Sequence, residues 1–492
     1  MKEGFSSQQY LSTQSAHIRE RIEHFGGKLY LEFGGKLFDD YHASRVLPGF
    51  KPDSKLQMLM QLADQSEIII VISAKDIEKN KIRGDLGITY DADVLRLIGE
   101  FRDRGLFVGS VCITQYANQE SADLIRRRLE QFGVKTYLHY PIKGYPNNVS
   151  LIVSEEGYGK NDYIETSRPL VIVTAPGPGS GKMATCLSQL YHEQKRGVNA
   201  GYAKFETFPI WNLPLKHPVN LAYEAATADL DDVNMIDPFH LEAYGKITVN
   251  YNRDIEIFPV LRSIFERIYG ESPYKSPTDM GVNMAGYCIT DDEACREASK
   301  QEIIRRYYTA LAGLADGTRS EREADKIEFI MQQAGVQSSD RKVIPAAEAR
   351  AKDTGSPATA FELPDGRIVT GKTSALLGAT AAALLNSLKV LAGIPHEVHV
   401  ISAEALEPLQ KLKTAYLGSK NPRLHTDEAL IALSISSFYD ENAQKTLDAL
   451  PRLRGAQAHS SVMLAPVDIK TLKKLKVQLT CTPVFEGKSV FY

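Results

Sequence analysis

The feature that most constrains the fold of this chain is an apolar run, a glycine-rich turn and an amphipathic helix in direct succession. Leu170–Thr174 is short, apolar and β-branched, which is typical of a buried strand. Residues 175–181 contain three glycines and two prolines, so neither strand nor helix continues through them. From Lys182 to Gly197 the apolar residues recur at helical spacing. The sequence therefore predicts a strand, a tight turn and a helix.

This succession favours binding of a phosphate group. Glycines let backbone N–H groups approach an anion, the helix N-terminus adds partial positive charge, and a lysine adds a full charge. The match to a P-loop is incomplete, because Pro176 replaces a glycine and Met183 replaces the Ser or Thr that helps to hold Mg²⁺. A dinucleotide-binding fingerprint fits less well. The alternative is a plain strand-to-helix turn with an exposed lysine. The predicted phosphate or nucleotide ligands are Gly177, Gly179, Ser180, Gly181, Lys182 and Thr185, with Ser180 or Thr185 as the substitute hydroxyl.

A second stretch, residues 366–373, matches the P-loop pattern to the letter. Its context differs, because Pro364-Asp365-Gly366 reads as a hairpin turn and the residues that follow read as a strand. Such a strand cannot cradle a phosphate. Thr373 or Ser374 is predicted to cap the next helix, which would leave Lys372 near a helix N-terminus. We therefore expect no P-loop at this place, with anion binding by Lys372 at the helix N-terminus as the weaker alternative.

The composition excludes several classes of protein. A chain of 492 residues should form two to four domains, and its 43% hydrophobic and 24% charged content is typical of soluble globular proteins. A net charge of −3 does not favour binding to nucleic acid or to an anionic membrane, which attract positively charged proteins. The five cysteines are widely spaced, which favours core positions in a reducing cytosol. The N-terminus has no apolar signal region, so we expect a cytoplasmic protein with neither nucleic acid nor membrane as a partner.

The pattern along the chain predicts an α/β protein in three regions. Residues 1–235 alternate strands and helices, residues 236–340 are mainly helical and form a domain or insert, and residues 341–492 alternate again. The first region should contain a mainly parallel sheet. Its predicted strands lie at 28–33, 67–73, 106–114, 135–140, 149–153, 170–174 and 201–208. Those of the last region lie in a hairpin at 360–370, at 396–402 and 429–434, and around Val462 and Leu479.

Polar loops follow three of the predicted strands, at 34–45, 74–89 and 175–182. Ligands of open α/β sheets bind at the carboxyl ends of the strands, so these loops can converge on one cleft. Each loop can also be a plain surface connection. If they converge, Glu32, Asp39 or Asp85 would supply metal or base chemistry. His42 would carry protons, and Lys36 or Arg45 would be a second phosphate contact.

Three long motifs carry a resemblance to a known family. They are residues 29–50, around the Gly34-Gly35-Lys36 turn, residues 174–182, which hold the glycine loop, and residues 204–217. Through them the chain resembles, over essentially its whole length, the uncharacterised bacterial domain-of-unknown-function family 1846 (uncharacterised protein family 0371). The resemblance implies a chain of α/β, helical and α/β regions and implies no activity.

Three classes of function stay open. The first is an enzyme or switch that binds a nucleotide or another phosphorylated small molecule, such as a phosphotransferase or NTPase using ATP or GTP with Mg²⁺. The second is a phosphometabolite enzyme that uses no nucleoside triphosphate. The third is a non-catalytic binding protein that forms a homo-oligomer through its helical region. In the last region the clusters around His425 and His459 lack a G-x-S-x-G elbow, so we interpret them as caps and turns.

Overall fold

The computed structural model describes residues 2–34, 37–38, 40–84 and 86–486. The chain divides into two compact units. The first unit contains Lys2–Glu224 and Asp231–Ala298, and the second contains Ala225–Leu230 and the chain from Ser299 onward. The predicted division into three regions at residues 235 and 340 stays a prediction.

A parallel sheet forms the centre of the first unit. The strands of this unit are β1 (Leu29–Phe33), β2 (Ser66–Ser73), β3 (Ile82–Arg83), β4 (Ile88–Thr89), β5 (Phe107–Thr114), β6 (Lys135–Leu138), β7 (Leu170–Thr174), β8 (Gly201–Phe205), β9 (Asn234–Ile236), β10 (Val249–Tyr251) and β11 (Gly281–Val282). Seven of them join in the order β11-β8-β1-β7-β2-β5-β6, and every pair in this sheet is parallel. The other four form two antiparallel hairpins, β3–β4 and β9–β10.

Helices connect the parallel strands. They are α1 (Ser7–His24), α2 (Tyr41–Val46), α3 (Ser54–Gln61), α4 (Ala74–Glu78), α5 (Tyr90–Arg102), α6 (Glu120–Gln131), α7 (Val149–Ile152), α8 (Lys182–Lys195), α9 (Pro218–Ala226), α10 (Pro238–Tyr244), α11 (Asn252–Tyr269), α12 (Pro277–Met280) and α13 (Asp292–Ala315), the last of which continues into the second unit. Strands β1, β2 and β7 are buried at every position, because both faces of a parallel sheet are covered. The predicted α/β class with a parallel N-terminal sheet is confirmed.

The second unit contains a smaller mixed sheet. Its strands are β12 (Ala358–Glu362), β13 (Ile368–Lys372), β14 (Gln457–Ser460) and β15 (Gln478–Cys481), in the order β13-β12-β14-β15. Only the β14–β15 pair is parallel. Its further helices are α14 (Glu321–Ala334), α15 (Val343–Thr354), α16 (Ala379–Ala392), α17 (Ala403–Lys411), α18 (Thr426–Ser436), α19 (Glu441–Asp448) and α20 (Pro466–Lys474). The predicted C-terminal α/β region is thereby confirmed.

Two predicted strands are helical in the structure. The predicted strand 149–153 contains the short helix α7 (Val149–Ile152), which begins where the Asn148 side chain accepts a hydrogen bond from the Leu151 amide at 3.3 Å. Residues 429–434 lie inside α18, which begins with a capping box between His425 and Glu428. Short apolar runs do not distinguish a strand from a buried helix, and here the caps determine the outcome.

The predicted strand at 396–402 is also wrong, because these residues belong to no strand or helix. Their alternating pattern reflects burial alone. Val400 is part of the core cluster of the second unit, and Val398 and Ile401 pack against that cluster. Alternation therefore records which side chains face the core, while pairing with another strand requires a neighbour that this segment lacks among the described residues.

Candidate functional site

The loops that follow β1, β2 and β7 start at one edge of the sheet. Strand β7 lies between β1 and β2, and all three run in the same direction. Their carboxyl ends at Phe33, Ser73 and Thr174 therefore meet, which is where open α/β sheets bind ligands. The pairing explains how three segments distant in sequence reach one place.

The glycine loop after β7 has a defined backbone conformation. Gly181 is the N-cap of α8 with φ of 94°, in the left-handed region that glycine tolerates. The hydroxyl of Thr114, at the end of β5, donates to the Ser180 carbonyl at 2.6 Å. The Ser180 hydroxyl in turn donates to the Gly177 carbonyl at 2.9 Å. No described side chain caps the first turn of α8, so its amides stay available for an anion.

An aromatic cavity of about 460 Å³ lies on one side of the glycine loop. Phe33, Phe38 and Tyr90 contribute its rings, and Arg83 contributes a guanidinium. Asp93 accepts a hydrogen bond from Arg83 at 2.8 Å, which balances the arginine charge. The remaining lining residues are Leu37, Gly84, Leu97, Thr174, Ala175, Pro176, Gly177, Pro178 and Lys182. Flat rings beside the glycine loop can stack on a planar group such as an aromatic ring.

A polar cavity of about 520 Å³ lies on the other side of the loop. Its charged side chains are Glu32, Lys75 and Lys182. The remaining lining residues are Thr114, Gln115, His139, Tyr140, Pro141, Ile142, Tyr145, Tyr158, Asn161, Gly179, Gly181, Met183 and Ala184. Both cavities have the size of a small-molecule site.

Lys182 is the residue that the two cavities share. It is the first residue of α8, so its backbone lies at the positive end of the helix. Within the described part of the chain it forms no ion pair. A lysine without a carboxylate partner, beside uncapped helix amides, is suited to attract an anion.

Glu32 is held in the wall of the polar cavity. Its carboxylate accepts a hydrogen bond from the Tyr202 hydroxyl at 2.7 Å, and the residue is 8% exposed. Strand β8 pairs with β1 so that Lys204 lies opposite Glu32 in register. The geometry fixes the position of this carboxylate at the edge where the glycine loop begins.

Lys204 is itself the centre of a largely buried charge cluster. Its ammonium contacts Asp254 and Tyr251, and lies 3.0 Å from Glu206. Burial alone would lower the pKa of Lys204, but the nearby charges of Asp254, Tyr251 and Glu206 raise it well above its ordinary value. Burial raises the pKa of Glu206 to about 7, although Lys204 opposes this change.

Burial also shifts the pKa values of two neutral groups in the polar cavity, His139 and Tyr145. Burial lowers the pKa of His139 to about 3, so this imidazole is uncharged at neutral pH. Gln189 donates to His139 Nε2 at 3.1 Å. Burial raises the pKa of Tyr145 to about 12. Both groups can therefore offer hydrogen bonds without adding charge.

The structure brings only some of the predicted residues together. The cavities are lined by Gly177, Gly179, Gly181, Lys182 and Glu32. Ser180, in the same glycine loop, is fully buried. Thr185 is fully buried and faces Cys112, so it lines neither cavity. The Ser180 hydroxyl is bonded to Gly177, and the assignment of either hydroxyl as the substitute Mg²⁺ ligand stays a prediction.

The loop after β1 divides between two places. Leu37 and Phe38 line the aromatic cavity beside the glycine loop. The ring of His42 instead lies 5.1 Å from the Phe208 ring, after β8, and Arg45 follows in the same short helix. Neither His42 nor Arg45 is among the residues that line the two cavities. The predictions for Lys36, Asp39 and Asp85 lie outside the described residues.

Sequence reasoning missed several residues of the site. His139 and Tyr145 lie in the segment between β6 and α7, Tyr158 begins a short 3-10 turn after α7, and no sequence motif marks any of them. Lys204 and Glu206 both lie within the predicted strand 201–208. The sequence does contain a signal for these two residues, since charged side chains in an otherwise buried strand need partners of opposite charge.

The exact P-loop pattern at 366–373 does not form a phosphate cradle. Gly371 and Lys372 lie in β13 and pair with Thr359 and Ala358 of β12. The following helix begins at Ala379 after the N-cap Gly378, so neither Thr373 nor Ser374 caps it, contrary to the prediction. In the same unit His425 is the N-cap of α18.

Comparison with known proteins finds two family models along the chain. The N-terminal model of the family "domain of unknown function DUF1846" matches residues 3–335, and its C-terminal model matches residues 339–491. The chain belongs to the DUF1846 family. A UPF0371 protein of Streptococcus pneumoniae (strain JJA) is 59% identical over 485 residues, which covers 99% of this chain and 98% of that protein. A UPF0371 protein of Streptococcus thermophilus (strain ATCC BAA-491 / LMD-9) is 58% identical over 490 residues, or 100% and 99% of the two chains.

For this DUF1846 chain, two further observations concern the described residues as a whole. None of their helices combines the length and apolar character needed to span a membrane. No three His, Cys, Asp or Glu side chains among them lie together as metal ligands do.

Proposed function

We propose that this protein binds a phosphorylated small molecule through the glycine loop 175–182. The observation that carries the proposal is the position of Lys182, at the start of α8 and in the wall of both cavities. A phosphate held there would accept hydrogen bonds from the first amides of α8 and an ion pair from Lys182. The non-phosphate part of the ligand would extend into a cavity.

The aromatic cavity favours a nucleotide as the ligand. Tyr90 and Phe38 present rings on which a base can stack, and Arg83 can bind a polar edge of the base. A nucleoside triphosphate would place the enzyme among phosphotransferases or NTPases. Mg²⁺ would reach such a site with the nucleotide, because Met183 stands where a P-loop has the hydroxyl that helps to hold the ion.

The polar cavity favours a second candidate, a phosphometabolite enzyme without a nucleotide. Glu32, Lys75 and Gln115 there can bind the hydroxyl groups of a sugar phosphate.

A thermal-shift screen with ATP, GTP, pyrophosphate, ribose 5-phosphate and glucose 6-phosphate tests the proposal. A ligand at about 100 times its Kd should add about 2.7 kcal/mol to the free energy of unfolding. We expect K182A to lose this stabilisation. The matched control is K372A, which removes the lysine of the other Gly-Lys pair. Equal stabilisation of wild type and K182A would contradict the proposal.

A further inference from the structure

We propose that the polar cavity binds a second substrate, a hydroxyl-bearing small molecule, and that Glu32 accepts the proton of its hydroxyl group. The inference rests on the proposed binding of a phosphorylated ligand at the glycine loop. It assigns the two cavities to two different ligands, a phosphoryl donor on the aromatic side and an acceptor on the polar side.

The two cavities are separate in composition. Lys182 is their single common lining residue among those described; Gly177 belongs to the aromatic cavity, whereas Gly179 and Gly181 belong to the polar one. A group bound on the loop therefore faces both cavities. A ligand confined to the aromatic side would leave about 520 Å³ on the other side, enough for a second small molecule.

The polar cavity contains groups that are suited to a hydrogen-bonding ligand. Tyr158, 1% exposed, has a buried hydroxyl that makes no hydrogen bond within the described chain. Buried hydroxyls are normally paired, so a ligand is the natural partner. Gln115 has a φ of 52°, which is unusual for a residue other than glycine and is often found at binding sites. Hydroxyl groups can pair with both residues.

Glu32 is fixed as a proton acceptor by the strand next to it. Tyr202 donates to one carboxylate oxygen, which orients the side chain. Lys204 lies opposite Glu32 and is held by Asp254, so positive charge stays near the carboxylate. Tyr202 and Lys204 are positioning residues, since neither lines the cavity.

The reaction is a phosphoryl transfer. The acceptor O–H gives its proton to the Glu32 carboxylate, and the acceptor oxygen forms a bond to the phosphorus of the donor. The bond from that phosphorus to the leaving oxygen breaks, and the leaving oxygen takes the electron pair. Lys182 stabilises the negative charge on the transferred group, and Glu32 then releases its proton to water.

The test measures binding and turnover separately. Wild type, E32Q and K182A are incubated with ATP and Mg²⁺, or with pyrophosphate, in the presence of water alone, glycerol or D-ribose as acceptor. Thermal shift reports binding, and ³¹P NMR reports free phosphate and new phosphate esters. The matched control is E67Q, which alters a buried glutamate at the opposite end of β2, bonded to Ser167 and Arg168.

We expect E32Q to keep its stabilisation by the probe and to lose turnover by about 100-fold or more, while E67Q keeps both. If E32Q folds poorly, E32D replaces it in the test. This variant retracts the carboxylate by one methylene and should also lower turnover. Equal turnover in wild type and E32Q, or no turnover by a wild type that binds the probe, overturns this inference alone. Absence of any stabilisation that depends on Lys182 overturns the proposed function and this inference with it.

Discussion

The hydroxyl oxygen of Tyr90 lies 2.2 Å from the position that a Cβ atom at Gly177 would occupy. Tyr90 is the first residue of α5 and is buried against the glycine loop, with its ring in the wall of the aromatic cavity. The absence of a side chain at 177 therefore lets the loop backbone approach the ring. This contact joins the glycine loop to the cavity beside it.

Gly177→Ala should destabilise the protein by about 1–3 kcal/mol, because the new methyl group forces the buried Tyr90 ring to move. In a protein that already carries Tyr90→Ala, the Gly177→Ala substitution should cost much less, since the obstructing ring is then gone. Urea unfolding of the four members of this double-mutant cycle measures the coupling. Additive costs would show that the two residues do not obstruct each other.

Gly179→Ala provides the matched comparison. A Cβ at 179 meets nothing within 4 Å, but Gly179 has φ of 77°. Its cost should be about 1–2 kcal/mol from backbone conformation alone, and Tyr90→Ala should not reduce it.

Lys204→Met should destabilise the first unit by about 3 kcal/mol. The substitution keeps the chain length but removes the ammonium that contacts Asp254 and Glu206, and buried carboxylates without a counter-charge are costly. Chemical denaturation measures the change. Combination with Asp254→Asn should restore part of the loss, because one of the uncompensated charges disappears. No rescue would indicate that Lys204 acts through packing instead.

Glu206 makes stability depend on pH. Burial raises the pKa of Glu206 from its ordinary value of 4.5 to about 7. Between these pH values the folded protein keeps a proton that the unfolded chain has released. The free energy of unfolding should therefore fall as pH rises from about 4.5 to 7, by at most roughly 1.4 kcal/mol per pH unit from this group.

Glu206→Gln should remove that contribution, since glutamine does not titrate. The difference in stability between E206Q and wild type should thus move in favour of E206Q from pH 5 to pH 8. Urea unfolding at both pH values measures it, and other titrating groups cancel in the comparison. A difference that is constant across this range would show that Glu206 titrates normally.

The sequence was sufficient for features that depend on local pattern. The β-branched run 170–174, the glycines after it and the helical spacing from Lys182 onward together determine a strand, a turn and α8. The false P-loop could be recognised by the same reasoning, because Gly366 ends a turn signal and a strand follows it. The alternation of strands with helices also indicated a mainly parallel sheet, since parallel strands are joined by helical crossovers.

The rest of the site depends on contacts between distant segments. Tyr158 and Glu32 meet at one cavity only because β1 lies next to β7, and no local pattern specifies that order. From the sequence we expected the loop that contains His42 to lie beside the glycine loop in space. It lies beside Phe208 instead, because β8 is the other neighbour of β1.

Isothermal titration of pyrophosphate into wild type, K182A and K372A tests the central claim most directly. Loss of a charge-assisted contact to phosphate should weaken the affinity of K182A by about 30-fold or more, while K372A stays within about threefold of wild type. That pattern would establish the glycine loop after β7 as the phosphate site. Affinities for K182A and wild type within about threefold of each other, or no measurable binding to wild type, would contradict the account.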